Sequence, residues 1–231
     1  MRDACLKALQ AIAGALVLLA APAAAQGESR DKVVLLLNWT ASGEHAPFYH
    51  GVARGLYREE GIDLEIREGR GSNLTVREVA NEAVQFGYAD ATMAIRWMTQ
   101  GAPVKLIGVL VQTSPMGLIS LSERNIRHPR DLVGKKLAFA PGGAAEQVFT
   151  AFSRATGLKE SDLNITMYDE ASRHEAFLGG KADLLIGHVN DLAVLVEDET
   201  GKRVAFMRYA DFGVNALNNG IVVRNSFLIA K

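Results

Sequence analysis

Residues 33–37 read Val-Val-Leu-Leu-Leu, with no polar side chain among them. A strand with one face in water alternates apolar and polar residues. An unbroken aliphatic run of this length is instead buried on both faces, as in parallel sheets that carry helices on either side. The run stops at Asn38-Trp39-Thr40-Ala41-Ser42-Gly43-Glu44-His45. In open α/β sheets, ligands bind beyond the carboxyl ends of the strands, so this polar and aromatic break is the first place to look for a site.

The rest of the chain alternates in the same way. Pro47 suits a first helical turn, where its missing N–H costs nothing, and Ala46–Glu60 reads as one helix closed by Gly61. A strand follows at Ile62–Ile66, then a turn at 69–73. The helical period spans Leu74–Phe86 and again Ala91–Gln100, and Val104–Val111 is a second long buried strand. The order is β-α-β-α-(β)-α-β, an α/β fold. After Gln112-Thr113-Ser114-Pro115 the pattern restarts, with strands expected at 136–140, 164–168, 183–187 and 203–208 and helices at 144–156, 171–178 and 191–199. One more strand, Ile221–Arg224, follows. Two similar α/β units imply a cleft between them, a common location for small-molecule sites.

The first 25 residues read as a separate signal. Arg2 and Lys7 precede an apolar segment at 8–21, and Ala23-Ala24-Ala25 offers a small-residue cleavage site before Gln26. This is the layout of a secretory signal peptide; the apolar run is short of the ~20 residues of a membrane span. The single cysteine, Cys5, leaves with that segment, so the mature chain has neither disulfide nor thiolate chemistry. A net charge of −1 gives no footing for nucleic acid.

Four loops after strands carry the candidate groups. In the first, Trp39 offers a face for stacking a planar ligand or else fills core, and Asn38 offers a donor and an acceptor. His45, near a helix N-terminus, should be biased toward its neutral form and is either a site residue or a surface cap. In the second, Ala140–Gln147, the pair Gly142-Gly143 frees backbone N–H groups to hold an oxygen; Glu146 either meets an amino-bearing ligand or caps its own helix. The third, Gly187–Asp191, holds His188 and Asn190. The fourth, Gly87–Thr92, holds Asp90. Each of the last two can equally be a solvated loop. There is no GxGxxG, P-loop or G-x-S-x-G motif, and no nucleophile with its base. The histidines at 45, 50, 128, 174 and 188 lack zinc-ligand spacing. Binding without chemistry, cofactor or metal is expected.

The stretch "VVLLLNWTASGEHAPFYHGVARGLYREEGIDLEI" resembles the opening of the NMT1/THI5-like solute-binding proteins, which group with the nitrate-, sulfonate- and taurine-type binding proteins of ABC importers. The resemblance continues through "GSNLTVREVANEAVQFGYADA", "GAPVKLIGVLVQTSPMGLISL", "HPRDLVGKKLAFAPGG" and "YADFGVNALNNGIVV". It implies a periplasmic-binding-protein type II fold. One lobe would comprise 26–115 plus 212–231 and the other 116–211, with hinges at 112–116 and 209–214. It further implies a monomer in the periplasm that captures a small solute and delivers it to an ABC permease and its ATPase. Relatives bind thiamine pyrimidine precursors, and the resemblance places Trp39, His45, Gly142, Gly143 and Glu146 at the cleft. Sulfonate, taurine or nitrate binding and a periplasmic sensor module are the alternatives. The fungal pyrimidine synthases of the same family are enzymes. Where they carry a cofactor-holding lysine and a consumed histidine, this chain has Ala89 and Met93, and "GVNALNN" replaces their cysteine-rich segment. The family usually continues past the equivalent of Lys231 with helices that finish the first lobe, so the resemblance implies either a fragment or an incomplete first lobe, and an uncovered sheet face would expose apolar surface.

Overall fold

The computed structural model describes residues 30–140 and 145–229; the signal segment at 1–25 and the Pro141–Gly143 turn lie outside them. Among the described residues, ten strands form two five-stranded sheets. The first sheet contains β1 (Asp31–Leu36), β2 (Ile62–Arg67), β3 (Phe86–Asp90), β4 (Val104–Val109) and β10 (Asn219–Arg224), in the order β2-β1-β3-β10-β4. The second contains β5 (Met116–Leu121), β6 (Lys136–Phe139), β7 (Asn164–Met167), β8 (Leu184–His188) and β9 (Val204–Arg208), in the order β7-β6-β8-β5-β9.

The two sheets share one plan. β1 runs parallel to β2 and β3, as β6 runs parallel to β7 and β8. In each sheet the fourth position is an antiparallel strand: β10 in the first, β5 in the second. Both are reached by a crossing between the sheets. The two crossings run side by side, with Ser114 N–H donating to Ala216 O at 3.1 Å and Asn218 N–H to Val111 O at 2.9 Å.

The helices are α1 (Ala46–Ala53), α2 (Leu56–Glu59), α3 (Ser72–Ala80), α4 (Ala91–Thr99), α5 (Ala145–Thr156), α6 (Glu170–Leu178), α7 (Val189–Thr200) and α8 (Asn225–Ile229). Two expected helices are shorter than the periodicity indicates. The one over 46–60 breaks at Gly55, whose φ of 76° interrupts the turn between α1 and α2. The one over 74–86 stops at Ala80, Glu82 takes a φ of 63°, and Phe86 opens a strand.

Both faces of the first sheet are apolar, as the aliphatic run requires. Leu36, Ala89 and Val222 pack with Val76, Val79 and Met93 of α3 and α4. Leu35, Leu37 and Tyr88 pack on the opposite face with Phe48 of α1. On that second face Leu64, Ile66, Phe86 and Ile221 are only partly buried. In the second sheet, Phe139, Phe149, Phe152 and Tyr209 form an aromatic core. No helix among the described residues is long and apolar enough to cross a membrane.

Candidate functional site

The loop after β1 is fastened from below before it reaches any ligand group. Asn38 O accepts from Gly71 N–H at 2.7 Å and Trp39 O from Gly69 N–H at 3.1 Å. The buried Thr75 hydroxyl donates to Leu37 O at 2.8 Å. Gly69 sits so close that a methyl group there would lie 1.9 Å from Leu37 O. The turn 68–71 is therefore a cradle for the Asn38–Trp39 backbone, a role that its reading as a plain turn did not reveal.

A 3₁₀ turn at Gly43–His45 then leads straight into α1, with Pro47 in its first turn. His45 is fully buried. Its Nδ1 accepts from Ser42 N–H at 3.1 Å, which leaves the ring proton on Nε2, facing Asn38 Oδ1 at 2.8 Å. The ring is thus neutral, as expected. Burial is the main cause of its lowered pKa, ahead of any charge nearby.

Glu44 is the centre of the site, and the sequence reading did not single it out. Its Oε1 accepts from the amides of Asn38 at 3.3 Å and Asn219 at 3.1 Å. Its Oε2 lies 2.9 Å from His188 Nδ1, at the end of β8 in the other sheet. Burial opposes charge on both groups, but their contact overcomes it: His188 is raised above its ordinary pKa and Glu44 lowered below its own. They form an ion pair across the two units. Beside it, the Ser42 hydroxyl donates to Asp191 Oδ2 at 3.4 Å. Burial, and then the Glu44 charge, push the Asp191 pKa up.

Of the expected site residues, the structure brings Asn38 and His45 together around Glu44. Trp39 stands half-buried beside them, and its ring enters none of the ring–ring contacts among the described residues. Asn190 is exposed in the first turn of α7, between His188 and Asp191. Asp90 is buried and caps α4: it accepts from Thr92 N–H at 2.8 Å, Met93 N–H at 3.3 Å, the Thr92 hydroxyl, and Asn218 Nδ2 at 2.9 Å. Burial still raises its pKa. Gly142, Gly143 and the Glu146 side chain lie outside the described residues. Ala89 and Met93 are buried apolar residues on the α3–α4 side of the first sheet. A cavity of about 310 Å³ lined by Val84, Gln85, Arg224 and Phe227 lies at the opposite end of β3 from Asp90. It does not adjoin the network that joins the two sheets, so that network is the candidate site.

Residues 42–231 match the family described as NMT1/THI5 like. The chain belongs to that family. Among curated proteins, it is 28% identical over 184 residues to the 4-amino-5-hydroxymethyl-2-methylpyrimidine phosphate synthase of Legionella pneumophila, covering 80% of this chain and 57% of that protein. It is 20% identical over 209 residues to the formylaminopyrimidine-binding protein of Halalkalibacterium halodurans, covering 90% of this chain and 63% of that one. The chain thus spans less than two thirds of the length of these relatives. Among solved structures, the periplasmic aliphatic sulphonate binding protein SsuA of Escherichia coli superposes with a TM-score of 0.68 at 17% identity, covering 87% of this chain and 68% of that one. The fold is the type II periplasmic-binding-protein fold, with two α/β lobes.

Proposed function

We propose that this NMT1/THI5-like chain is the solute-binding component of an ABC importer, exported to the periplasm by residues 1–25. It captures a small amino-bearing heterocycle of the thiamine-pyrimidine kind and hands it to a membrane permease. The observation that carries the reading is the Glu44–His188 contact at 2.9 Å, which joins loops at the carboxyl ends of strands from both sheets. Residues 26–115 with 212–231 would form one lobe and 116–211 the other, moving about 112–116 and 209–214.

In this reading the solute stacks on Trp39, with Asn38, His45, Asp90 and Asn190 framing it; Gly142, Gly143 and Glu146 complete the proposed set of binding residues. The chemistry of the wall supports an amino-bearing ligand. It holds the carboxylates of Glu44 and Asp191, and the buried Asn218 and Asn219 each keep an amide oxygen with no partner. Acceptors in such number favour a ligand rich in N–H donors and oppose a sulfonate or nitrate. The relative named as a synthase supports an enzymatic alternative, but Ala89 and Met93 offer neither the amine nor the imidazole that such chemistry uses.

The test is thermal unfolding with hydroxymethylpyrimidine, formylaminopyrimidine, thiamine, riboflavin, taurine, an alkanesulfonate and nitrate. A ligand at 100 times its Kd adds about 2.7 kcal/mol, or roughly 5–10 °C in a domain of this size. One pyrimidine is expected to give that shift, and Trp39→Ala to abolish most of it. A shift with taurine or nitrate alone, or full affinity in Trp39→Ala, would refute the reading.

A further inference from the structure

Glu44, His188 and Asp191 each bring one ligand atom to within 4.8 Å of the others. We propose that these three side chains form a divalent transition-metal site that bridges the two lobes. The inference does not rest on the solute reading, since it needs only this geometry.

The separation of Glu44 Oε2 from His188 Nδ1, 2.9 Å, is that of two neighbouring ligands on one ion. Bonds of ~2.1 Å put their ends ~3.0 Å apart at an octahedral angle and ~3.4 Å apart at a tetrahedral one, so a four-coordinate ion needs the pair to open by only ~0.5 Å. The carboxylates are also supported from behind, as metal ligands are. Amide donors from Asn38 and Asn219 hold Glu44 Oε1, and Asn219 also reaches Oε2, which lies against the imidazole. The Ser42 hydroxyl holds Asp191.

A second observation points to a ligand. Asn219 is fully buried, and its amide oxygen has no hydrogen-bond partner. Its amide nitrogen reaches both Glu44 oxygens, at 3.1 and 3.3 Å, so this amide adjoins the same cluster. Turning that amide over would present the orphan oxygen to the ion as a fourth, hard donor. The charges agree: two carboxylates and one imidazolium leave the cluster at −1, whereas a divalent ion that replaces the Nδ1 proton brings it to zero. One imidazole with oxygen ligands suits Zn²⁺ or Co²⁺ better than Mg²⁺ or Ca²⁺. Histidine spacing could not announce such a site, because it uses one histidine and draws its ligands from both lobes.

The experiment uses untagged protein stripped with a chelator, titrated with Zn²⁺ by calorimetry at pH 7.5 without solute. Co²⁺ is followed in parallel by its visible absorption. One saturable site per chain is expected. His188→Asn and Asp191→Asn should each weaken it at least tenfold. His174→Asn, which alters the separate His174–Glu199 pair, should leave it unchanged. Melting curves of the variants confirm that they are folded. No saturable Zn²⁺ binding, or equal binding by folded His188→Asn and Asp191→Asn, would overturn the site. Repeating the solute panel with excess chelator separates the two readings. A pyrimidine shift without a Zn²⁺ site refutes only the metal, and a Zn²⁺ site without any solute shift refutes only the solute.

Discussion

Replacing Gly69 by alanine tests whether the cradle under Asn38 and Trp39 is as tight as its geometry states. The added methyl would lie 1.9 Å from Leu37 O, 2.9 Å from Leu37 C and 3.1 Å from Asn38 C. Ordinary contact needs roughly 3.5 Å. The obstructing atoms are backbone, so no side chain can turn aside and the turn must move by more than ~1 Å. Overpacking of this kind costs about 1–3 kcal/mol. The move also strains the Gly69–Trp39 and Gly71–Asn38 hydrogen bonds, each worth about 1 kcal/mol. Alanine restores about 0.4–1 kcal/mol by restricting the unfolded chain. The expected net loss is about 3 kcal/mol, or roughly 6–12 °C in melting temperature. The control is Gly108→Ala on β4, where an added methyl meets nothing within 4 Å; it should stay within about 0.5 kcal/mol of the parent. Urea unfolding of the three proteins decides the matter. If Gly69→Ala is as stable as the parent, or Gly108→Ala loses as much, the reasoning fails.

Three further outcomes follow from the packing. Thr75→Val keeps the shape but removes the donor to Leu37 O; it should cost about 1–2 kcal/mol, and an unchanged urea midpoint would contradict that. Phe152 is fully buried, with its ring centre 4.7 Å from that of Tyr209 and 5.7 Å from that of Phe212. Phe152→Ala should therefore cost about 3–5 kcal/mol, and a loss below 1 kcal/mol would mean the cavity collapses freely. The backbone N–H groups of Arg127 and His128 hold the Asp131 carboxyl below its ordinary pKa. Its stabilising effect is then complete above the unfolded value of about 3.9 and fades as pH falls through the lower folded value. Asp131→Asn should melt below the parent at neutral pH and converge with it in acid; a constant offset down to the lowest pH would refute this.

Much of the scaffold was legible because it is written in local pattern. The Val33–Leu37 run demanded a strand buried on both faces, and β1 is paired in parallel on both sides. The strand does end at the polar break after it, and Asn38 and His45 meet there. Asp90 is a subtler case. An aspartate just before a helical period is also an ordinary N-cap, and the structure gives it that role. The left-handed turn at Glu82 had no such signal, since glutamate rarely takes positive φ, so the helical period ran on through it. Glu44 stayed hidden for a different reason. Its importance comes from His188 on the other sheet and Asn219 on β10, and no local pattern carries a pairing between distant segments. The place of β10, antiparallel between β3 and β4, is tertiary in the same sense.

That placement has a consequence in time. β4 joins the first sheet only through β10, and Asp90 waits for Asn218, which is 128 positions further on. At about 5–20 residues per second on the ribosome, the interval is ~6–26 s. Strands β5 to β9 are synthesised within it, so the second sheet can close by itself while β3 and β4 still present bare edges to solvent. Such edges invite pairing with other nascent chains. The strand made last among the ten both seals the first sheet and delivers Asn218 and Asn219 to the interface. A delay in translation between β4 and β10 would therefore prolong a stage in which half the protein is native and the candidate site does not yet exist.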